Sequence, residues 1–260
     1  MQDLTIFEVE VFKVLVLVMV RIGGLVLAAP VLGSRNFPMV AKIGLTGLTA
    51  MLVTPSIAAL KQTLPNEAIP FAMMGAGELM IGLMMGFVMT LVFASIQVGG
   101  QIMDMQTGFG MINVFNPALG TQFPIFGFFL FILAVLFLLV TNGHHLMLRA
   151  IVATFDKIPL GGFVVRRELL WEVSRWGSAM FYDGLMIAAP VAAAMLVAYA
   201  VMGLVGRVVP QIQLFVVGFP ITIALSLFIV AISIEIYLNY LDGMFARMFK
   251  DVAMMIHGMS

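Results

Sequence analysis

From Met105 to Leu148 the chain carries no charged side chain, and two further runs, Gly184 to Gly206 and Val208 to Ile234, are equally bare. Each is longer than the ~20 residues a helix needs to cross the hydrocarbon of a bilayer. With 62% hydrophobic and 10% charged residues over 260 positions, the whole chain is far from soluble averages. It reads as a membrane protein of all-α class. Hydropathy places six apolar spans at roughly 11–32, 43–60, 70–97, 123–141, 183–206 and 212–238.

Other features narrow the field by exclusion. The chain has 13 basic and 13 acidic residues, so its formal charge is zero and no nucleic-acid partner is expected. Cysteine is absent, which removes disulfides and thiolate chemistry. The opening MQDLTIFEVEVF is acidic and lacks the basic region of a cleaved signal peptide, while Thr5 and Glu8 have capping-box spacing for a helix start. His144 and His145 are adjacent and point to different faces, so they do not form an i, i+4 metal pair. Neither HExxH, a Walker lysine motif, GxSxG nor a dinucleotide fingerprint occurs. The expectation is a protein with no enzyme activity, no metal and no cofactor.

Between the spans, Thr141 to Ser178 is the longest polar connection, with a short interfacial helix expected at Arg167 to Trp176. Beyond the last span, Leu241, Met244, Phe245, Met248, Phe249, Val252, Met255 and Ile256 keep helical spacing. That tail is expected to lie as an amphipathic helix on lipid or on a partner.

The stretch GGQIMDMQTGFGMINVFNPALGTQF, Gly99 to Phe123, is irregular in composition. Its glycines and Pro117 make it flexible, yet Met103, Met105, Phe109, Met111, Ile112, Val114 and Phe115 make it too apolar for water. Such a segment must be buried in protein or line a cavity. VVPQIQLFVVGFPIT, residues 208–222, is the second irregular place: Pro210, Gln211 and Gln213 fall between two spans and read as a hairpin tip beside Arg207. Gly218 and Pro220 fall inside the following helix, where a kink or a close helix contact is expected.

Among the carboxylates, Asp104, Asp183 and Glu235 stand near span ends, within expected reach of headgroups or water. Glu78 stands inside AMMGAGELMIGLMMG with no charged neighbour in the sequence. Gly82 and Gly86 form a GxxxG pair, extended by Gly75, Gly77 and Thr90, for packing within the chain or between subunits.

Taken together, Arg21 followed by Ala29-Pro30, Gln106-x-Gly108 with Asn116-Pro117, Asn142-Gly143-His144, Pro159-Leu160-Gly161, Gly184-Leu185 with Ala189-Pro190, and Pro210-Gln211-x-x-x-Phe215-x-x-Gly218-Phe219-Pro220 carry a family likeness over nearly the whole length. The last element is the most specific. The sequence resembles the FliR family of flagellar type III export-gate proteins, called SctT in injectisomes. The resemblance implies an inner-membrane subunit at the flagellar basal body that assembles with FliP and FliQ around a path for unfolded substrates, with FlhB wrapping the core and FlhA nearby. It implies a FliP-like part at 1–182 and a FliQ-like helical hairpin at 183–260 with its tip at 207–213. It also implies that the apolar loop at about 106–123 plugs the closed pore through Gln106, Gly108, Phe109, Gly110, Met111, Val114, Phe115, Asn116 and Pro117. Where relatives place Phe inside this loop, Met111 and Val114 stand here, with Phe109 and Phe115 displaced. Partner docking falls to Arg207, Pro210, Gln211, Gln213, Phe215, Gly218, Phe219 and Pro220.

The resemblance implies a hairpin tip facing the cytoplasm. Charge counting gives the opposite for a simple six-span bundle, because Lys61, Arg149, Lys157, Arg166, Arg167, Arg175, Arg247 and Lys250 then lie inside and only Arg35, Lys42 and Arg207 outside. A competing function is a proton-coupled secondary transporter of a small solute, with Glu78 as coupling carboxylate and the break at Pro210 to Pro220 as its midplane site. It requires internal pseudo-symmetry, and the two halves offer no matching pair of interrupted spans.

Overall fold

The computed structural model describes residues 2–58, 64–109, 124–209 and 214–259. Among these residues there is no strand, and seven helices follow one another: α1 (Gln2–Ala28), α2 (Met39–Ala58), α3 (Ala68–Thr107), α4 (Ile125–Val140), α5 (Gly143–Lys157), α6 (Arg167–Val208) and α7 (Leu214–Met259). Helices α1, α2, α3, α6 and α7 are long and apolar enough to cross a membrane. Counting α4 and α5 as one broken span brings the total to six. The all-α, polytopic expectation therefore holds, and its reason is elementary: in an apolar solvent a helix satisfies its backbone internally.

Helices α3 and α6 outrun at both ends the spans that hydropathy marks, and α7 outruns its span at the C-terminal end. Helix α1 already runs from Gln2, so Thr5 and Glu8 lie within it rather than at its cap. Helix α3 continues through Gly99, Gly100 and Asp104 to Thr107, so only the end of the Gly99–Phe123 stretch leaves the helix. The expected interfacial helix at Arg167–Trp176 is the start of α6, and the amphipathic tail is the end of α7. The polar connection also contains α5, which buries Met147, Ile151, Thr154 and Phe155. The tail stripe is not spread on an outside surface: Leu241, Met244, Phe245, Met248, Val252, Met255 and Ile256 are buried within the chain itself. A stripe of helical period demands an apolar partner, and here the chain supplies it.

Two compact units divide the chain. The first comprises residues 1–91, 141–176 and 246–260. Its buried side chains include Leu17, Ile22, Leu25, Ile81, Met85, Met89, Met147, Ile151 and Ile158. The last turn of α7 is tied to the segment leading into α6 by backbone bonds from Val164 N–H to the Met259 carbonyl, 3.3 Å, and from Arg166 N–H to the Gly258 carbonyl, 3.4 Å. They satisfy carbonyls that a helix end otherwise leaves without partners.

The second unit comprises residues 92–140 and 177–245. Its core holds Phe93, Ile96, Phe126, Leu130, Ala134, Leu138, Ile187, Val191 and Met195. Phe93 meets Phe131 edge-on with centroids 5.8 Å apart and also lies 5.7 Å from Phe245. Edge-to-face and tilted contacts of this kind suit the ring quadrupole. Gly99 approaches Gly184 so closely that a Cβ there would lie 2.8 Å from the Gly184 carbonyl oxygen, which brings α3 and α6 into backbone contact.

Candidate functional site

The apolar stretch follows the end of α3 at Thr107 and precedes the start of α4 at Ile125, and these two ends are its feet. Gly108 takes φ +90°, a left-handed conformation open to glycine at little cost. A Cβ at Gly108 would lie 2.6 Å from Cδ1 of Phe219, so the ring of α7 occupies the space a side chain needs. Phe109 packs edge-on against Phe126 at 5.5 Å, linking one foot to the other. Gly110, Met111, Val114, Phe115, Asn116 and Pro117 lie outside the described residues.

Three side chains hold the feet by hydrogen bonds. Asp104, on the last turn of α3, accepts from Phe126 N–H through Oδ1 at 3.0 Å and from Gly127 N–H through Oδ2 at 3.3 Å. These are among the first amides of α4, which have no partner inside their own helix and favour a negative charge. One turn earlier, Gly100 lies directly on Gly127, where any Cβ would overlap the Gly127 Cα. The carbonyls ending α3 are taken by hydroxyls: Tyr199 of α6 donates to the Gln106 carbonyl. Thr222 of α7 lies 2.9 Å from the Thr107 carbonyl and 3.1 Å from that of Phe219, sharing its one proton. Gln106 is half-buried, and its Oε1 has no hydrogen-bond partner among the described residues.

Two carboxylates expected at headgroup level are instead internal. Asp104 is only 6% exposed, and Asp183, at 8%, accepts a 2.7 Å hydrogen bond from the Tyr240 hydroxyl. Their partners sit on distant segments, so no local window of sequence signals them. Glu235 is exposed on the surface of α7.

The first unit contains a buried ion pair. Arg21 Nε donates to Glu78 Oε2 at 2.5 Å, with both side chains fully buried, so Glu78 has the charged partner that its own neighbourhood in the sequence lacks. The other Glu78 oxygen accepts Gly161 N–H at 2.8 Å. Arg21 also donates to Thr154 Oγ1, 3.0 Å, and twice to the Ile158 carbonyl, 3.1 Å, and stacks over Phe155 with Cζ 4.1 Å from the ring centroid. Buried charges persist when geometry saturates them in this way. Gly82 and Gly86 face α1: a Cβ at Gly82 would overlap the Arg21 carbonyl oxygen, and one at Gly86 would lie 2.8 Å from the backbone nitrogen of Ala29. Thr90 adds a hydrogen bond to the Ala28 carbonyl at 2.7 Å. No group of three metal-ligating side chains occurs among the described residues.

Comparison with known proteins places this architecture. The sequence model for bacterial export proteins, family 1, matches residues 12–248. The chain belongs to this FliR family of bacterial export proteins. It is 30% identical to the flagellar biosynthetic protein FliR of Escherichia coli (strain K12), covering 90% of this chain and 89% of that one. Against FliR of Bacillus subtilis (strain 168) it is 29% identical, covering 92% of each chain. FliR of Caulobacter vibrioides is 29% identical, with 89% of this chain and 91% of that one covered.

In this FliR-family chain the remaining motif residues fall from the end of α6 into the first turns of α7. Arg207 is exposed in the last turn of α6, where a cation complements the carbonyl end of the helix dipole. Pro210, Gln211 and Gln213 lie outside the described residues, and Phe215 belongs to the first turn of α7. Helix α7 is unbroken through Pro220, and a Cβ at Gly218 would lie 3.4 Å from Met202 Sδ of α6. Around that approach, Ala194, Val197, Ala198, Val201 and Ile221 line an apolar cavity of about 560 Å³. Sequence reasoning missed Tyr199 and Thr222, which carry no signal in their own segments, and read Arg21 only as part of the family likeness.

Proposed function

We propose that this chain is a non-enzymatic subunit of the flagellar type III protein export gate, forming with FliP and FliQ the inner-membrane channel for unfolded substrates. In this reading the apolar loop at 106–123 plugs the closed pore, the tip at 207–213 docks FlhB at the cytoplasmic side, and FlhA and the basal body lie nearby. Residues 1–182 correspond to a FliP-like part and 183–260 to a FliQ-like hairpin. The observation that carries the reading is the loop base. A glycine-rich apolar segment of low regularity starts and ends at feet fixed by Asp104, Tyr199, Thr222 and Phe219. A plug needs that combination, because a deformable body seals a pore only if its ends stay in place.

A coupled small-solute carrier finds less support. Both Glu78 oxygens are engaged, by Arg21 and by the Gly161 amide, which suits a structural ion pair better than a carboxylate that cycles protons. The deciding experiment is deletion of residues 110–117 in the chain co-expressed with FliP and FliQ. A plug requires the assembled complex to become leaky to ions. Wild-type permeability in a correctly assembled deletion complex would sink the assignment.

A further inference from the structure

We propose that Asp104 is the positioning residue that locks the two feet of the loop together and thereby sets how tightly the closed gate seals. The inference rests on the reading of the loop as a plug and adds to it the residue that holds the plug in place.

A carboxylate inside an apolar span is costly unless something uses it. Asp104 is buried, and the described residues give its carboxylate a specific use: it bridges the last turn of α3 to the first amides of α4, 22 and 23 residues further on. Bonds from N–H groups to an ionised acceptor are stronger than neutral ones, and the positive end of the α4 dipole adds to them. The Gly100–Gly127 contact lies one helical turn from Asp104 along α3. Two successive turns of α3 thus hold the same N-terminal end of α4, at Phe126 and Gly127. The two feet are then secured differently. The α3 foot is gripped from outside by Tyr199, Thr222 and the Phe219 ring. The α4 foot is held by the hydrogen bonds that its Phe126 and Gly127 amides donate to Asp104, with Phe109 packing against Phe126. Removing the carboxylate leaves α4 amides without partners in a dry environment, and the α4 foot frays first.

The test uses the full chain assembled with FliP and FliQ in membranes, with ion leak and subunit stoichiometry measured together. Four chains are compared: the parent, the 110–117 deletion, Asp104→Leu and Asp104→Asn. Asp104→Leu, which has no acceptor, is expected to raise leak about tenfold or more with stoichiometry unchanged, as loss of bonds to a buried charge implies. Asp104→Asn, similar in size with one oxygen acceptor, is expected to leak less than Asp104→Leu and more than the parent. Neither substitution should add leak in the loop-deleted chain, since there is then no plug to position.

A deletion complex that stays tight removes the plug reading, and this inference with it. A leaky deletion beside two tight Asp104 variants overturns the positioning role alone, as does extra leak in the loop-deleted background. Where Asp104→Leu fails to assemble, Asp104→Asn decides; failure of that variant to assemble as well also overturns the proposal, because the residue then serves folding rather than the loop.

Discussion

The Arg21 guanidinium and the Glu78 carboxylate meet at 2.5 Å in the interior of the first unit, from positions 57 residues apart. Removing one member leaves the other as an uncompensated buried charge, a loss of about 3–5 kcal/mol. Glu78→Gln is therefore expected to lower the thermal unfolding temperature of the detergent-solubilised complex and the amount of chain recovered. Arg21→Met and Glu78→Leu should each be as costly alone and, combined, should recover most of the loss, giving a large coupling term in a double-mutant cycle. Additive effects of the two single changes would show that the pair contributes little.

Helices α1 and α3 touch through glycine. A Cβ at Gly82 collides with backbone of α1, which cannot rotate away as a side chain can. Gly82→Ala is expected to destabilise by about 1–3 kcal/mol, the usual range for overpacking. Gly44 on α2 has nothing within 4 Å of its would-be Cβ. Gly44→Ala should be neutral or stabilising by up to about 1 kcal/mol through helix propensity. Thermal unfolding of the two variants side by side checks the contrast, and equal responses would contradict the packing described.

Gly108 meets two demands at once, a left-handed backbone and the ring of Phe219. Gly108→Ala is expected to cost about 1–3 kcal/mol and to loosen the start of the loop. Adding Phe219→Leu relieves the overlap but not the backbone strain, so rescue should be partial. Complete rescue, read by unfolding temperature and ion leak, would mean that the backbone conformation is unimportant.

The hydroxyls of Tyr199 and Thr222 close the end of α3. Tyr199→Phe and Thr222→Val keep shape while deleting the donors, each removing about 1 kcal/mol of local stability. Amide hydrogen exchange in a peptide covering residues 100–109 should quicken roughly five- to tenfold in either variant. Exchange unchanged in both would remove these two side chains from the loop base.

The class of the fold was legible because long uncharged runs admit few structures in lipid, and the tail stripe of Leu241 to Ile256 was legible from its period. What hydropathy obscured was extent. Asp104 looks like the end of a span, yet α3 carries it on to Thr107, because its carboxylate finds partners on α4 and the carbonyls at the helix end find them on α6 and α7. Asp183 is a similar case, satisfied by Tyr240 rather than by water. Glu78 was visible as an isolated charge and Arg21 as part of the family likeness, but nothing local in either segment encodes the other. Long-range satisfaction of polar groups is a property of the folded chain, and a window of sequence cannot contain it. The loop base shows the same division: its glycines and apolar residues stood out, while the hydroxyls that hold it did not.

Residues 246–259 belong to the same compact unit as residues 1–91, while the second unit is complete by residue 245. During synthesis, therefore, the unit that begins first is finished last. Until Met248, Val252 and Met255 leave the ribosome, the first unit lacks part of its own interior, and the Val164 and Arg166 amides lack the carbonyls that receive them. A premature stop after Phe245 spares every residue of the second unit, yet deprives the first unit of the helix end whose carbonyls receive the Val164 and Arg166 amides. Truncations at the far end of this chain should thus be felt in the unit that its opening residues belong to.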